Sequence, residues 1–293
     1  MTFIHTFYSE PLFKGKFEKF EISLNNILWD YAYSLICVHK HNHKIKLFTD
    51  SRGKELLSFL PYDDIIVIDD FTTTHHFAAS FKFYALKQCE LGDILIDGDL
   101  FLEKEKVFNV IKLSKHDVLN SFIENNDYIF NLPSVNGFDS QKTYFETLFG
   151  KINTKNDLLW YKLPELDKLE YFNTSLLRIN NQQLKDRYVE QYFYHTSLLS
   201  DVDFEKTWPD FIIEQYFLGE IVKDGNYSAK QIIVNFPQGS EWENKLGFAH
   251  LGGEKTKYLP EVRQRLYNKD KNIYLTTNMK IFEILAKRQN NLI

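Results

Sequence analysis

Two hydrophobic periods alternate through the first hundred residues, and this alternation restricts the possible folds more than any other feature. Phe3 to Tyr8 is a short β-rich run broken by Ser9-Glu10-Pro11. Phe17, Phe20, Leu24, Ile27, Leu28, Tyr31, Leu35 and Val38 then recur at intervals of three and four, which predicts a helix with one buried face. Lys44 to Thr49 reads as a second strand. It ends at Asp50-Ser51-Arg52-Gly53, a turn able to cap a helix over Glu55 to Leu60 that stops at Pro61. Asp64 to Asp69 encloses the continuous apolar run of a central strand, Ala78 to Gln88 is helical, and Asp93 to Leu100 is a fourth strand. The expectation is an α/β fold, a mostly parallel sheet flanked by helices. Such sheets bind ligands at the carboxyl ends of their strands, where Tyr8, Asp50, Asp69 and the pair Asp97/Asp99 all fall.

From about Lys104 the pattern loosens into turn-rich stretches such as Asn125-Asn126-Asp127 and Asn136-Gly137. Strands are expected over Tyr171–Ile179, Gln231–Phe236 and Lys245–Leu251, and helices over Asn181–His195 and Phe211–Val222. A polar segment with some helical pattern runs on from Leu266. No repeat, low-complexity tract or linker divides the chain, so 1–293 reads as one domain with an irregular C-terminal half.

Composition excludes several classes. With 44% hydrophobic and 16% aromatic residues the chain can bury a core and is not disordered. The aromatic excess is compatible with core packing and with a groove that stacks on bases or sugar rings. A net charge of -5 without a basic stripe argues against a nucleic-acid partner. The local cluster His39, Lys40, His41, His43, Lys44 and Lys46 sits where a helix should end, and its charge suits the helix dipole there. Cys37 and Cys89 belong to no CxxC pair, which speaks against zinc and against a disulfide framework. No signal-peptide pattern opens the sequence, and no run approaches the roughly 20 apolar residues of a membrane span. A soluble, cytoplasmic protein is expected.

Asp97 and Asp99 flank Gly98 directly after Ile94-Leu95-Ile96. In an extended strand residues i and i+2 face one side, so both carboxylates could approach one ion, and Gly98 lets a ligand near the backbone. Their mutual repulsion calls for a divalent cation, and oxygen ligation favours Mg2+ or Mn2+ over zinc. Asp-Gly is also a common turn dipeptide, which is the plainer reading. The stretch is loosely similar to the Asp-x-Asp-Gly-Thr loop of haloacid-dehalogenase-type phosphatases, but Leu95 stands at the nucleophile position, which rules that chemistry out.

Asp97-Gly98-Asp99 after a strand–helix alternation resembles the DxD motif of glycosyltransferases with the GT-A, Rossmann-like fold. Three further stretches resemble family-8 enzymes, in family order. Tyr171-Phe172-Asn173-Thr174-Ser175 is similar to a segment of the sugar and acceptor site, and Glu214-Gln215-Tyr216-Phe217-Leu218 to the Asp-Gln stretch. His250-Leu251-Gly252-Gly253-Glu254-Lys255 is similar to the late His-x-x-Gly segment. The chain is also similar to uncharacterised bacterial GT-A-like proteins. Ser175 stands where the family has glycine, Glu214 where it has aspartate, and Thr256 where it has lysine, between Lys255 and Lys257.

The resemblance implies a nucleotide-binding half over 1–103 and an acceptor-side half over 104–293. It implies Asp97, Asp99 and His250 as ligands of Mn2+ or Mg2+, a lysine on the diphosphate, and Asn173, Glu214 and Gln215 at the reacting sugar and acceptor. It further implies a UDP-sugar donor, a glycan or other hydroxyl acceptor, and retention of anomeric configuration. The residues themselves add candidates. Phe7 and Tyr8 could stack on uracil or simply pack in the core, and Asp50 could accept from base or ribose. Lys82 could reach a phosphate or be a solvated helix lysine. Gly253 permits close approach to phosphate, beside Lys255 and Lys257. His250, Glu214 and Gln215 have bland alternatives too: a core histidine and an exposed turn of helix. A GT-A-like protein that binds nucleotide or glycan without catalysis is the other reading.

Overall fold

The computed structural model describes residues 1–13, 17–70, 78–124, 171–198, 209–233, 246–251 and 255–290. Along the chain come β1 (Thr2–Phe7), the single turn α1 (Glu10–Phe13), α2 (Phe17–His39), β2 (Lys44–Thr49), α3 (Ser51–Leu57) and β3 (Asp64–Val67). Next are α4 (Ala78–Gln88), β4 (Ile94–Ile96), β5 (Leu100–Leu102), α5 (Glu105–Leu113), β6 (Val118–Asn120) and β7 (Ile123–Glu124). After them lie β8 (Tyr171–Phe172), β9 (Leu176–Ile179), α6 (Gln182–Leu198), α7 (Pro209–Asp224) and β10 (Ala229–Gln231). β11 (Phe248–His250), α8 (Lys255–Lys269) and α9 (Lys271–Gln289) complete the series. The fold is α/β, with mostly parallel strands flanked by helices, as the alternating periods predict.

Several expected strands are shorter or broken. Asp93–Leu100 is two strands, because a turn at Asp97-Gly98-Asp99 separates β4 from β5. Tyr171–Ile179 is interrupted at Asn173–Ser175, where the Asn173 carboxamide accepts from the Ser175 amide at 3.0 Å in a local turn between β8 and β9. The strand expected over Lys245–Leu251 is confined to β11, since Gly247 lies in left-handed backbone conformation at φ 72°. The polar stretch after Leu266 is helical: α8 runs into α9, whose first turn is capped by Asp270 accepting from the Ile273 amide at 3.0 Å. The strand expected over Gln231–Phe236 lies earlier, at Ala229–Gln231, with Ile232 and Ile233 beyond its end, and residues 234–236 lie outside the described residues.

The chain divides into two compact units, each discontinuous in sequence. The first comprises Met1–Phe71, Asp93–Ser114 and Pro237–Ile293. Its four parallel strands lie in the order β4-β1-β2-β3, with Phe3 opposite Ile94 on one side and Ile45 on the other. Fully buried Phe3, Ile4, Ile45, Leu47 and Ile94 to Ile96 explain the apolar runs, and Phe20, Leu24, Leu28 and Leu35 form the buried face of α2. β5 pairs antiparallel with β11, and α2 packs against α8 and α9. The second unit comprises Thr72–Gly92 and Lys115–Phe236. In it β6 pairs parallel with β10 and antiparallel with β9, while the ring of Phe83 on α4 stacks on Tyr192 of α6 at 3.5 Å. Cys37 and Cys89 are both buried thiols. No described helix is long and apolar enough to cross a membrane.

Each unit buries a neutral histidine. His5 lies between Tyr62 Oη and Ser34 Oγ, both at 2.9 Å, and burial, only partly offset by Asp99, pushes its pKa down to about 3. His195 donates from Nδ1 to the Gln191 carbonyl at 2.7 Å, and burial pushes its pKa down to about 4. Above pH 6.5 neither is charged in the folded or the unfolded chain. Below it only the unfolded chain takes up the protons, until the folded pKa values are reached. Stability is therefore expected to fall by on the order of 1.4 kcal/mol per pH unit per histidine as pH drops from 6.5, levelling off near the folded values. Urea midpoints between pH 7 and 4 check this. His195→Gln should flatten the slope, and an unchanged slope would show that other groups govern acid unfolding.

Candidate metal centre

In the first unit the chain adds β2 and β3 on one side of β1 and then returns to lay β4 on the other. The order therefore reverses between β1 and β4, and side chains at the carboxyl ends of these two strands face the crevice where α/β sheets hold ligands. Asp97 follows β4 directly. The Leu100 amide donates to the Asp97 carbonyl at 3.0 Å, closing a turn around Gly98 and Asp99. The plain turn reading and the ligand reading thus describe the same feature. It is the turn, not strand alternation, that brings the two carboxylates together, which corrects the extended-strand argument.

β-pairing brings in the third group. β11 lies antiparallel to β5 with His250 opposite Leu100, and the Leu251 amide donates to the Asp99 carbonyl at 3.2 Å. His250 Nε2 consequently sits 3.6 Å from Asp99 Oδ1 and 3.9 Å from Asp97 Oδ2. One donor atom from each residue lies within 4.8 Å of the other two. Lys255, the first residue of α8, places Nζ 3.1 Å from Asp99 Oδ2. The structure therefore selects Lys255 as the lysine at the carboxylates, while Lys257 is exposed with Nζ over the Tyr258 ring. Gly253 lies outside the described residues.

Charge explains the protonation of the cluster. Burial opposes ionisation of Asp99, but Lys255 and His250 outweigh it and hold the carboxyl well below the usual range. Burial likewise opposes protonation of His250, and the charges of Asp99 and Asp97 overcome it and raise its pKa. Burial works against the Lys255 ammonium, and Asp99 and Asp30 more than restore it. Two carboxylates and an imidazole suit Mg2+ or Mn2+ once His250 has lost its proton, and such an ion would then take over part of the charge that His250 and Lys255 meet at Asp99.

The layer beneath the turn was not marked by any motif. The Tyr31 ring on α2 lies against Gly98, where an added Cβ would meet it at 2.1 to 2.5 Å. Its hydroxyl donates to the Thr6 carbonyl at 2.5 Å, and its ring meets His5 and Phe7 edge-on. Ser34 Oγ donates to the Leu100 carbonyl at 2.6 Å. Asp30 is buried, and neither of its oxygens has a hydrogen-bond partner among the described residues. Burial, then the charge of Asp99, pushes its pKa well above the ordinary value against the pull of Lys255. Helical spacing identifies Tyr31 as inward-facing; only tertiary packing shows what it touches.

The remaining candidates have defined partners. Phe7 is buried at the end of β1, while the hydroxyl of half-buried Tyr8 donates to Glu10. Asp50 caps α3 by accepting from the Gly53 amide at 3.1 Å, and it accepts from Ser9 Oγ at 2.6 Å. In the second unit Lys82 is buried rather than solvated. Its Nζ lies 2.7 Å from Glu214 Oε1 and donates to the Thr174 carbonyl at 2.8 Å. Thr174 also donates to Glu214, and Asn173 and Gln215 are buried. Gln215 Oε1 has no hydrogen-bond partner among the described residues. The Ser175 hydroxyl bonds Ser121 Oγ at 2.6 Å in the interior.

No protein-family model matches the chain, and no curated protein matches it. Among solved structures, an active-site mutant of LgtC is similar at 9% identity and TM-score 0.46, over 90% of this chain and 96% of that one. The galactosyltransferase LgtC in complex with donor and acceptor sugar analogues is similar at 9% identity and TM-score 0.44, over 89% and 95%. The glycosyltransferase GlyE of Streptococcus pneumoniae TIGR4 is similar at 11% identity and TM-score 0.34, over 93% and 64%. The functional reading rests on the geometry of the site.

Gly98→Ala tests the turn. The new methyl cannot fit beside a ring tethered through its hydroxyl, so overpacking should cost about 1–3 kcal/mol. A lowered melting temperature together with weakened Mn2+ binding is expected in thermal and calorimetric titrations. Wild-type values for both would mean that Tyr31 yields freely and does not hold the turn.

Proposed function

We propose that the chain is a metal-dependent glycosyltransferase of GT-A type, similar to family 8, moving a sugar from a UDP-sugar to a hydroxyl of a glycan or other acceptor. The observation that carries this reading is the convergence of Asp97, Asp99 and His250 within 4.8 Å where the strand order reverses. These three residues would hold Mn2+ or Mg2+, which when bound supplies Lewis-acid charge to the donor diphosphate. His250 must give up its proton to ligate, so binding of the ion should release protons.

Lys255 adds an ammonium at the start of α8, whose first turn carries no acidic residue. The backbone amides and dipole of that terminus favour an anion at the same place, so lysine and helix would together stabilise the charge of a departing nucleoside diphosphate. Gly253 and Lys257 are proposed as its neighbours. Phe7, Tyr8 and Asp50, at the ends of β1 and β2, are proposed for base and ribose; a carboxylate has lone pairs to spare beyond its capping bonds. Lys82 is proposed for a donor phosphate, and Asn173, Glu214 and Gln215 for sugar and acceptor hydroxyls. Gln215 Oε1, without a hydrogen-bond partner among the described residues, is suited to accept from one of them. Retention of configuration is the stereochemical proposal.

One observation favours binding without turnover: Glu214 is already closed in an ion pair with Lys82. Calorimetry with UDP, with and without Mn2+, separates the readings. The enzyme reading expects Mn2+-dependent UDP binding that weakens at least tenfold in Asp99→Asn and slow hydrolysis of a UDP-sugar. Binding without hydrolysis across a panel of nucleotide sugars would establish the binding protein instead. Absence of UDP and GDP binding would defeat both.

A further inference from the structure

Asn26, Asp30 and Ser34 follow one another at intervals of four on α2, which places them in a row along one face of the helix. The two ends of the row have firm partners. Asn26 Nδ2 donates to Thr256 Oγ1 at 3.1 Å, on the residue after Lys255. Ser34 Oγ donates to the Leu100 carbonyl at 2.6 Å, on the residue after Asp99. Asp30 is one helical turn, about 5.4 Å, from each end of the row. It therefore lies between the start of α8 and the turn that carries Asp99.

The middle of the row is different. Asp30 is 2% exposed, and neither carboxylate oxygen has a hydrogen-bond partner among the described residues. An acid withdrawn from water without a hydrogen bond is costly, and an apolar side chain would fill the same space at less expense. Its charged neighbours are Asp99 and Lys255: burial and then Asp99 oppose its ionisation, and Lys255 favours it. The lysine shows the same relation from the other side. Burial works against its ammonium, while Asp99 first and Asp30 second favour it. One ammonium thus feels two buried carboxylates, and it is bonded to Asp99, with Nζ 3.1 Å from Oδ2.

A divalent ion held by Asp97, Asp99 and His250 would claim the same Asp99 carboxylate and repel the lysine. We infer that Asp30 is the positioning residue of Lys255: a second carboxylate that receives the ammonium when a cation takes Asp99, and so keeps it beside the donor diphosphate. The inference rests on the metal-dependent reading of the site, and it assigns Asp30 no contact with ion or substrate. Without Asp30 the lysine and the ion compete for Asp99.

A double-mutant cycle on the full chain tests this, with Mn2+ affinity measured by calorimetry in the absence of nucleotide. Asp30→Asn is expected to weaken Mn2+ binding about tenfold, because the ammonium is left on Asp99. In Lys255→Met, which has no ammonium to place, adding Asp30→Asn should change the affinity by less than about twofold. With Mn2+ saturating, UDP should bind about fivefold more weakly to Asp30→Asn, and equally to Lys255→Met and the double variant. A merely structural role for Asp30 would weaken binding in both backgrounds alike. Asp30→Leu, which leaves no buried polar group, carries the same cycle with the same expected ratios should the amide fail to fold. Equal losses in both backgrounds, or wild-type affinities in Asp30→Asn, would overturn the inference and leave metal-dependent binding by the wild-type chain standing. Absence of Mn2+ binding by the wild-type chain would overturn that reading and this inference together.

Discussion

Asp99 is a carboxylate withdrawn from water, and the groups around it are arranged to meet that charge. Removing an unpaired anion from solvent costs several kcal/mol, so the turn at the end of β4 is tenable only with cationic partners. Lys255 and His250 supply them from separate elements. The β5–β11 pairing sets the position of His250, and the start of α8 sets that of Lys255. Tyr31, His5 and Ser34 support the turn from below, so its conformation is defined by aromatic packing and hydrogen bonds as well as by charge.

The second unit meets a similar problem differently. Lys82 and Glu214 neutralise each other in the interior, and Thr174 satisfies atoms of both. A buried pair of this kind contributes little net stability but is costly to break from one side, because the abandoned charge stays buried. Its consequence is orientation: Glu214 is held in place, and the neighbouring Gln215 Oε1 has no hydrogen-bond partner among the described residues. The first unit thus has a cluster of charges at a strand end, and the second a closed ion pair in its interior.

Long elements were legible because their hydrophobic period extends over many residues. The spacing from Phe17 to Val38 anticipates α2, and the apolar runs anticipate β1 to β4. Short ones were not. A few apolar residues after Asp99 cannot announce a break into β5, and the polar surfaces of α8 and α9 mask their inward stripes of Val262, Leu266, Ile281 and Ile284. Lys82 shows the other limit, since a helix lysine looks the same in sequence whether water or a carboxylate receives it.

The amino-acid pattern alone determined the class of fold, the placement of Asp97 and Asp99 at a strand end, and the candidacy of His250. Those follow from periodicity, strand-end position and residue chemistry, which are local. Tertiary structure decided that the carboxylates converge through a turn, that Lys255 stands at Asp99, and that Tyr31 and Asp30 lie beside them. Each of these depends on pairing or packing between segments far apart in the chain, and distance in space is set only when the strands and helices are assembled.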